Sequence, residues 1–257
     1  MTDFTHENLS GARFEDVYLT GAYFHGVDLT GARFRLVDMT GVTIRGADLV
    51  DMEISGQIES LRINGVDVAP LVEAELDRRY PGRAKMRPSD AAGYREAWDV
   101  LEPLWQQTVA RARDLDPELL HQRVDGEWSF VETLRHLVFA TDRWAGYMIL
   151  DKPVPYHPLG LPQPGYTTPA DAAALGIDLG ARPHLAEVVE ARGIRMTMVR
   201  GIVDGLTDDD LGRECPRLPA PEYPEETRSV GLCLGVVMRE ECEHRRYAVR
   251  DLVVLGS

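Results

Sequence analysis

The sequence predicts two unlike domains in series, a short coil built on a five-residue repeat followed by an all-α bundle of four helices. Over the first sixty residues a large apolar side chain stands at every fifth position: Phe4, Leu9, Phe14, Leu19, Phe24, Leu29, Phe34, Met39, Ile44, Leu49 and Ile54. From Ser89 onward the apolar residues follow helical spacing instead, in four long segments. The composition of the 257 residues, 44% hydrophobic and 27% charged, excludes disordered and fibrous classes.

A strict period of five suits neither a helix nor a strand. A coil with four short faces and one pentapeptide per face satisfies it, each large residue pointing at the axis. Two positions before most of the large residues lies a smaller apolar one, such as Ala12, Val17, Ala22, Val27 and Ala32. Glycine follows two positions after many of them, at Gly11, Gly21, Gly26, Gly31, Gly41, Gly46 and Gly56. With units such as Gly46-Ala47-Asp48-Leu49, the period resembles the pentapeptide-repeat family. The resemblance implies a short right-handed quadrilateral β-helix, assigned to residues 1–66. Eleven pentapeptides make just under three coils, on the order of 13 Å tall at roughly 4.8 Å per coil. Some long acidic members of that family mimic DNA and bind gyrase, but a stub this short spans barely half a turn of duplex. It reads better as a packing or dimerisation module. Residues 67–88 follow as capping helix and linker, with Leu71, Val72 and Leu76 of the segment Val68–Tyr80 covering the open end of the coil.

Residues 89–257 form the second domain, with helices expected at 89–113, 129–150, 183–206 and 230–254. The first carries Tyr94, Ala97, Val100, Leu101, Leu104 and Val109. The second opens at Ser129 with Glu132 three positions on, a capping box, and its apolar face is Val131, Leu134, Leu137, Val138, Trp144 and Met148. The fourth carries Val236, Val237, Ala248, Leu252 and Leu255. Four such helices can bury one shared core. The connections Asp151–Pro183 and Thr207–Ser229 are long and proline-rich, and Tyr156, Tyr166 and Tyr223 within them favour ordered binding-site walls.

The formal net charge of −14 repels phosphate and argues against nucleic-acid and anionic-membrane partners. Cys215, Cys233 and Cys242, an odd number with no CxxC spacing, argue against a disulfide framework or a cysteine zinc site and fit a reducing cytosol. The first residues, MTDFTHENLS, lack a basic stretch followed by an apolar one, and apolar runs fall far short of the ~18 residues of a membrane span. A soluble, cytoplasmic protein is expected. No phosphate loop, dinucleotide fingerprint or Gly-x-Ser-x-Gly elbow is present.

Seven histidines make placement informative. His244 lies one turn after Glu240 on the fourth helix, and an i, i+4 pair projects from one helical face, as two ligands of one metal ion must. His136, mid-way along the second helix, could supply a third ligand and leave a position open for water or substrate. Chance Glu-x-x-x-His pairs are common in acidic helices, and a lone mid-helix histidine is more often a packed core residue. Glu241, three residues before His244, competes with Glu240. Arg246, Arg250 and Asp251 read as surface pairs, and Cys242 as a packed thiol.

The stretches Gly126-Glu127-Trp128-Ser129-Phe130-Val131-Glu132-Thr133-Leu134-Arg135-His136-Leu137 and Glu240-Glu241-Cys242-Glu243-His244-Arg245-Arg246-Tyr247 resemble the DinB-like superfamily. That group includes the YfiT-type metal hydrolases and the mycothiol-dependent maleylpyruvate isomerase-like proteins. The resemblance implies a four-helix bundle with an open metal site, usually zinc or nickel, held by His136, Glu240 and His244. Glu240 departs from the commoner three-histidine set and matches the isomerase-like branch. Such a metal brings bound water to a pKa near ~7 or deprotonates a coordinating thiol. A metal-dependent transferase joining a low-molecular-weight thiol to a small electrophile is therefore expected. The abundance of Arg, Ala, Gly and Asp over Lys is typical of high-GC bacteria and suggests mycothiol. The competing readings are a metal-dependent hydrolase and a non-enzymatic binding or assembly protein that uses the repeats for protein contacts, homodimerisation among them.

Overall fold

In the computed structural model, which describes residues 3–164, 167–218 and 226–257, the chain divides into two units, residues 1–59 and 60–257. In the first, the sequence period is a backbone period. The chain enters the left-handed region at His6, Gly11, Asp16, Gly21, Gly26, Gly31, Leu36, Gly41, Gly46, Asp51 and Gly56, once every five residues. This explains the recurrent glycine, which alone adopts positive φ without a Cβ penalty. Leu9–Ala12, Leu19–Ala22, Leu29–Ala32 and Met39–Val42 close as turns, with N···O distances of 2.9 to 3.1 Å.

The quadrilateral β-helix does not form. Among the described residues of this unit there is no strand, and the large apolar side chains expected at the axis are open: Phe14 is 60%, Leu29 52% and Ile44 58% exposed. Asn8, Asp28 and Asp38 each accept from the amide two residues on, at 3.0, 2.9 and 2.8 Å, and the other backbone bonds among the described residues of this unit are those of the four turns. No coil-to-coil ladder joins one turn of chain to the next.

The second unit starts with a two-residue hairpin, β1 (Arg62–Ile63) antiparallel to β2 (Val66–Asp67). Asn64 and Gly65 turn it with φ of 50° and 85°, as the mirror-image hairpin turn requires. The helix expected over Val68–Tyr80 forms as α1 (Ala69–Arg79), with Leu71 and Val72, two of the residues expected to cover the coil, exposed. It is tied to the bundle by Arg83, whose guanidinium meets Glu73 at 2.7 Å, Asp77 at 2.9 Å and Glu243 at 3.0 Å.

The four expected long helices are present: α2 (Ala91–Arg113), α3 (Phe130–Thr141), α5 (Leu185–Gly205) and α7 (Val230–Leu255). Two short ones, α4 (Pro169–Ala174) and α6 (Asp208–Leu211), sit in the proline-rich connections. α3 packs against α5 and α7, and α2 packs against the same two, so the long helices ring one core. Its centre is Trp98, Leu101 and Trp105 of α2, Leu134 and Leu137 of α3, Val199 of α5, and Leu234, Met238 and Leu252 of α7. On α2 the buried face is turned from the expected one: Val100, Leu104 and Val109 are only half-buried, whereas Trp98 and Trp105 are enclosed. The larger indole surfaces set the rotation of the helix.

Helix α3 does not run unbroken to 150. Its Ser129 cap has both bonds of the capping box, but past Thr141 the backbone widens into π-turns over Asp142–Ile149. There Asp142 is buried against Arg195 of α5 at 2.9 Å and also accepts the His157 amide at 2.9 Å. Tyr156 packs on Phe139, as an ordered wall requires, while Tyr166 and Tyr223 lie outside the described residues. Among the described residues no helix is long and apolar enough to cross a membrane.

Charge is buried deliberately in this core. Glu241 is 1% exposed and takes both arms of the Arg192 guanidinium, at 2.9 and 2.7 Å, while that guanidinium also lies over the Trp105 ring. Removing one partner strands the other charge away from water. Glu241→Ala is expected to lower unfolding free energy by about 3–5 kcal/mol in urea melts, whereas the joint change Arg192→Met and Glu241→Leu recovers most of it. Ser129→Ala, which deletes only the α3 cap, should cost about 1 kcal/mol.

Candidate metal centre

Three side chains from two helices converge at one point. His136 sits two turns into α3, and Glu240 and His244 sit one turn apart on α7, on the face it turns to α3. Glu240 Oε2 lies 3.2 Å from His136 Nε2 and 3.0 Å from His244 Nε2, and one ligand atom from each of the three falls within 4.8 Å of the others. This is the trio the sequence singled out. Glu241, its competitor, points away into the pair with Arg192. Arg246 pairs with Glu243 and Arg250 with Asp251, as expected, but Asp251 is buried rather than on the surface. Cys242 is half-buried, and burial pushes its thiol up to about 11.

The protonation state of the trio follows from one contact. His136 Nδ1 is 3.0 Å from the carbonyl oxygen of Leu161. A carbonyl only accepts, so Nδ1 carries the proton. Nε2 then either bears a second proton or presents a lone pair to Glu240. His136 is 6% exposed, and burial, outweighing the neighbouring carboxylate, pushes its pKa down. Nε2 faces the Glu240 Oε2 oxygen. Burial would by itself raise the Glu240 carboxyl, but the ring nitrogens of His136 and His244 against it more than offset that and hold it well below the usual carboxylate range. The 3.2 Å contact between Nε2 and Oε2 is satisfied by a proton on the ring or by a cation between the two. With two imidazole nitrogens and one carboxylate oxygen, the donor set fits a divalent transition metal and leaves a position open.

Two further groups frame the trio and were not legible as such. The Trp128 indole packs on both imidazoles, tilted on His136 with ring centroids 4.4 Å apart and stacked on His244 at 5.7 Å. It immediately precedes the Ser129 cap, so the helix start fixes its place; an aromatic residue just before the cap of a histidine-bearing helix is the signal that points to it. The second group is the backbone of Leu161, in the connection after α3, whose amide also donates to the Arg135 carbonyl at 3.1 Å. Nothing in a sequence marks a backbone acceptor. Two clefts elsewhere, of about 330 Å³ between α2 and α5 and about 170 Å³ beside Ser129 and Arg182, do not include the trio.

The depressed His136 pKa has a consequence for stability. Above the ordinary imidazole value of about 6.5 the residue is neutral folded and unfolded. Below it the unfolded chain binds a proton that the folded chain refuses, so stability is lost as pH falls. In metal-free protein the urea midpoint is expected to fall between about pH 7.5 and about pH 5.5, and to fall less in His136→Gln, which cannot take up that proton.

The comparisons with known proteins agree with this architecture. The DinB superfamily matches residues 101–248, more than half of the chain, and that span contains His136, Glu240 and His244. Pentapeptide repeats match at residues 2–35 and 19–51, in eight copies. No curated protein and no solved structure matches the chain. A helical unit of this kind, matched over most of its length, identifies the chain as a member of the DinB superfamily that carries pentapeptide repeats at its N-terminus.

Proposed function

We propose that the helical unit binds one divalent metal ion, zinc or nickel, through His136, Glu240 and His244, and that it uses the site to join a low-molecular-weight thiol to a small electrophile. The observation that carries the reading is the convergence of His136, Glu240 and His244, one ligand atom from each within 4.8 Å of the others. A divalent ion held there supplies the Lewis acidity that deprotonates a thiol or water at the open position.

The chain's own residues favour the thiol. Two imidazoles and one carboxylate would leave a bound dication with one unit of positive charge, which an anionic sulfur or a hydroxide would balance. Trp128 covers one side of the two imidazoles, limits the approach of water there and offers an apolar wall to the carbon skeleton of an electrophile. Leu161 keeps the His136 proton on Nδ1, away from the reacting side. The likeness of the Glu240-containing set to the mycothiol-dependent branch supports mycothiol as the thiol.

Elemental analysis of purified protein is expected to give close to one zinc or nickel per chain, and close to none in His136→Ala and Glu240→Ala. A folded wild type that takes up neither metal after incubation with both would overturn the site. Metal-loaded wild type should consume mycothiol in the presence of an alkylating electrophile, with about 10²-fold or greater loss in His136→Ala. Metal-dependent hydrolysis without thiol consumption would assign the hydrolase reading instead, and metal binding without either activity the binding role.

A further inference from the structure

His136 is preceded by an arginine that the site does not use. Arg135 is 3% exposed, yet among the described residues no carboxylate bonds its guanidinium. Its partners are backbone carbonyls of the connection after α3: Leu159 at 2.9 Å, Asp178 at 2.6 Å and Ala181 at 2.6 Å, with Leu179 and Gly160 at 3.5 Å. The Asp178 carboxylate is turned to the amide of Gly180 at 2.9 Å and acts on the guanidinium, with Glu132, through charge alone. Burying a guanidinium with no carboxylate bonded to it is costly. What an apolar chain could not do is gather carbonyls from two separate stretches, 159–160 and 178–181, at one planar fork.

Leu161 directly follows the first of those stretches. Its amide bonds the Arg135 carbonyl and its carbonyl bonds His136 Nδ1, so the loop is stitched to α3 on both sides of the metal-ligand candidate. We infer that Arg135 is a positioning residue: its guanidinium holds residues 159–160 and 178–181 together, so that the Leu161 carbonyl meets His136 Nδ1 and aims Nε2 at Glu240. When the fork lets go, the Leu161 carbonyl leaves, and His136 loses the acceptor that fixes a proton on Nδ1 and the direction of the ring.

The inference rests on the proposed metal site for its use, but its own test does not need a metal. Long-range proton–nitrogen NMR of metal-free protein labelled with nitrogen-15 reads the tautomer of His136, assigned by its loss in His136→Gln. Wild type is expected to show a hydrogen-bonded proton on Nδ1, Arg135→Met to have lost it, and Arg135→Lys, which keeps the charge but not the fork, to have lost it in part. Cobalt(II) titration should follow, with affinity about 10–100-fold weaker in Arg135→Met, as for other losses of support behind a ligand, and an intermediate loss in Arg135→Lys. Circular dichroism identifies the variants that fold; where Arg135→Met does not, Arg135→Lys decides. A folded variant with the wild-type tautomer overturns the inference. A wild type that binds no cobalt overturns the metal site alone, because the tautomer result still stands for or against Arg135.

Discussion

A carbonyl oxygen can accept a hydrogen bond but never give one, and at Leu161 this constraint decides the character of the whole site. It puts a His136 proton on Nδ1 and aims Nε2 at Glu240. Glu240, packed against that ring and against His244, stays ionised. The trio therefore gathers two ring nitrogens and one carboxylate oxygen at one place. Had the Leu161 position offered an N–H instead, Nδ1 would have to accept and the ring would keep its proton on Nε2.

The site depends on the rotation of α7 as much as on its residues. Adjacent positions on an α-helix are about 100° apart, so Glu240 and Glu241 serve different neighbours. Glu240 faces α3 and the imidazoles, whereas Glu241 faces α5 and Arg192. Arg245 turns to α2, where it bonds the Leu104 carbonyl and the Thr108 hydroxyl, both at 3.1 Å. With Ala248 and Leu252 in the core, these faces of the helix have distinct partners, and a slip of one residue would place Glu241 at the histidines and strand Arg192. The buried ion pair thus stabilises weakly against an apolar substitute yet selects one register strongly.

How far the sequence foretold this varies with the range of the interaction. The four long helices were legible because periodicity and capping are local: Ser129 and Glu132 form the expected box, and α7 spans the expected residues. Glu240 and His244 were legible as a pair for the same reason, one helical turn being a fixed distance. That His136 joins them is a fact of packing between helices, for which the sequence offered only a candidate. The choice between Glu240 and Glu241 turned on which face of α7 meets α3, and the Arg192 that decides it lies on another helix. Leu161 and the carbonyls around Arg135 were out of reach, because backbone groups carry no residue-type signal. The widening of α3 into π-turns was hidden as well, since it answers to the burial of Asp142 against Arg195.

The N-terminal repeats show the same division within a simpler pattern. Their period fixes a property of single residues, the sign of φ at every fifth position, and that property is realised without exception from His6 to Gly56. A β-helix asks for something more, that each pentapeptide spend its backbone groups on the coil above and below. In the first unit the bonds that form are local, at four turns to carbonyls three residues back and at three amides to the Asn8, Asp28 and Asp38 side chains. A repeat of under three coils has little to set against that competition, because an end coil has a neighbour on one side only. The repeated signature is thus a code for turns. Whether turns become a ladder is decided by how many coils stand in line, and fifty-nine residues supply few of them.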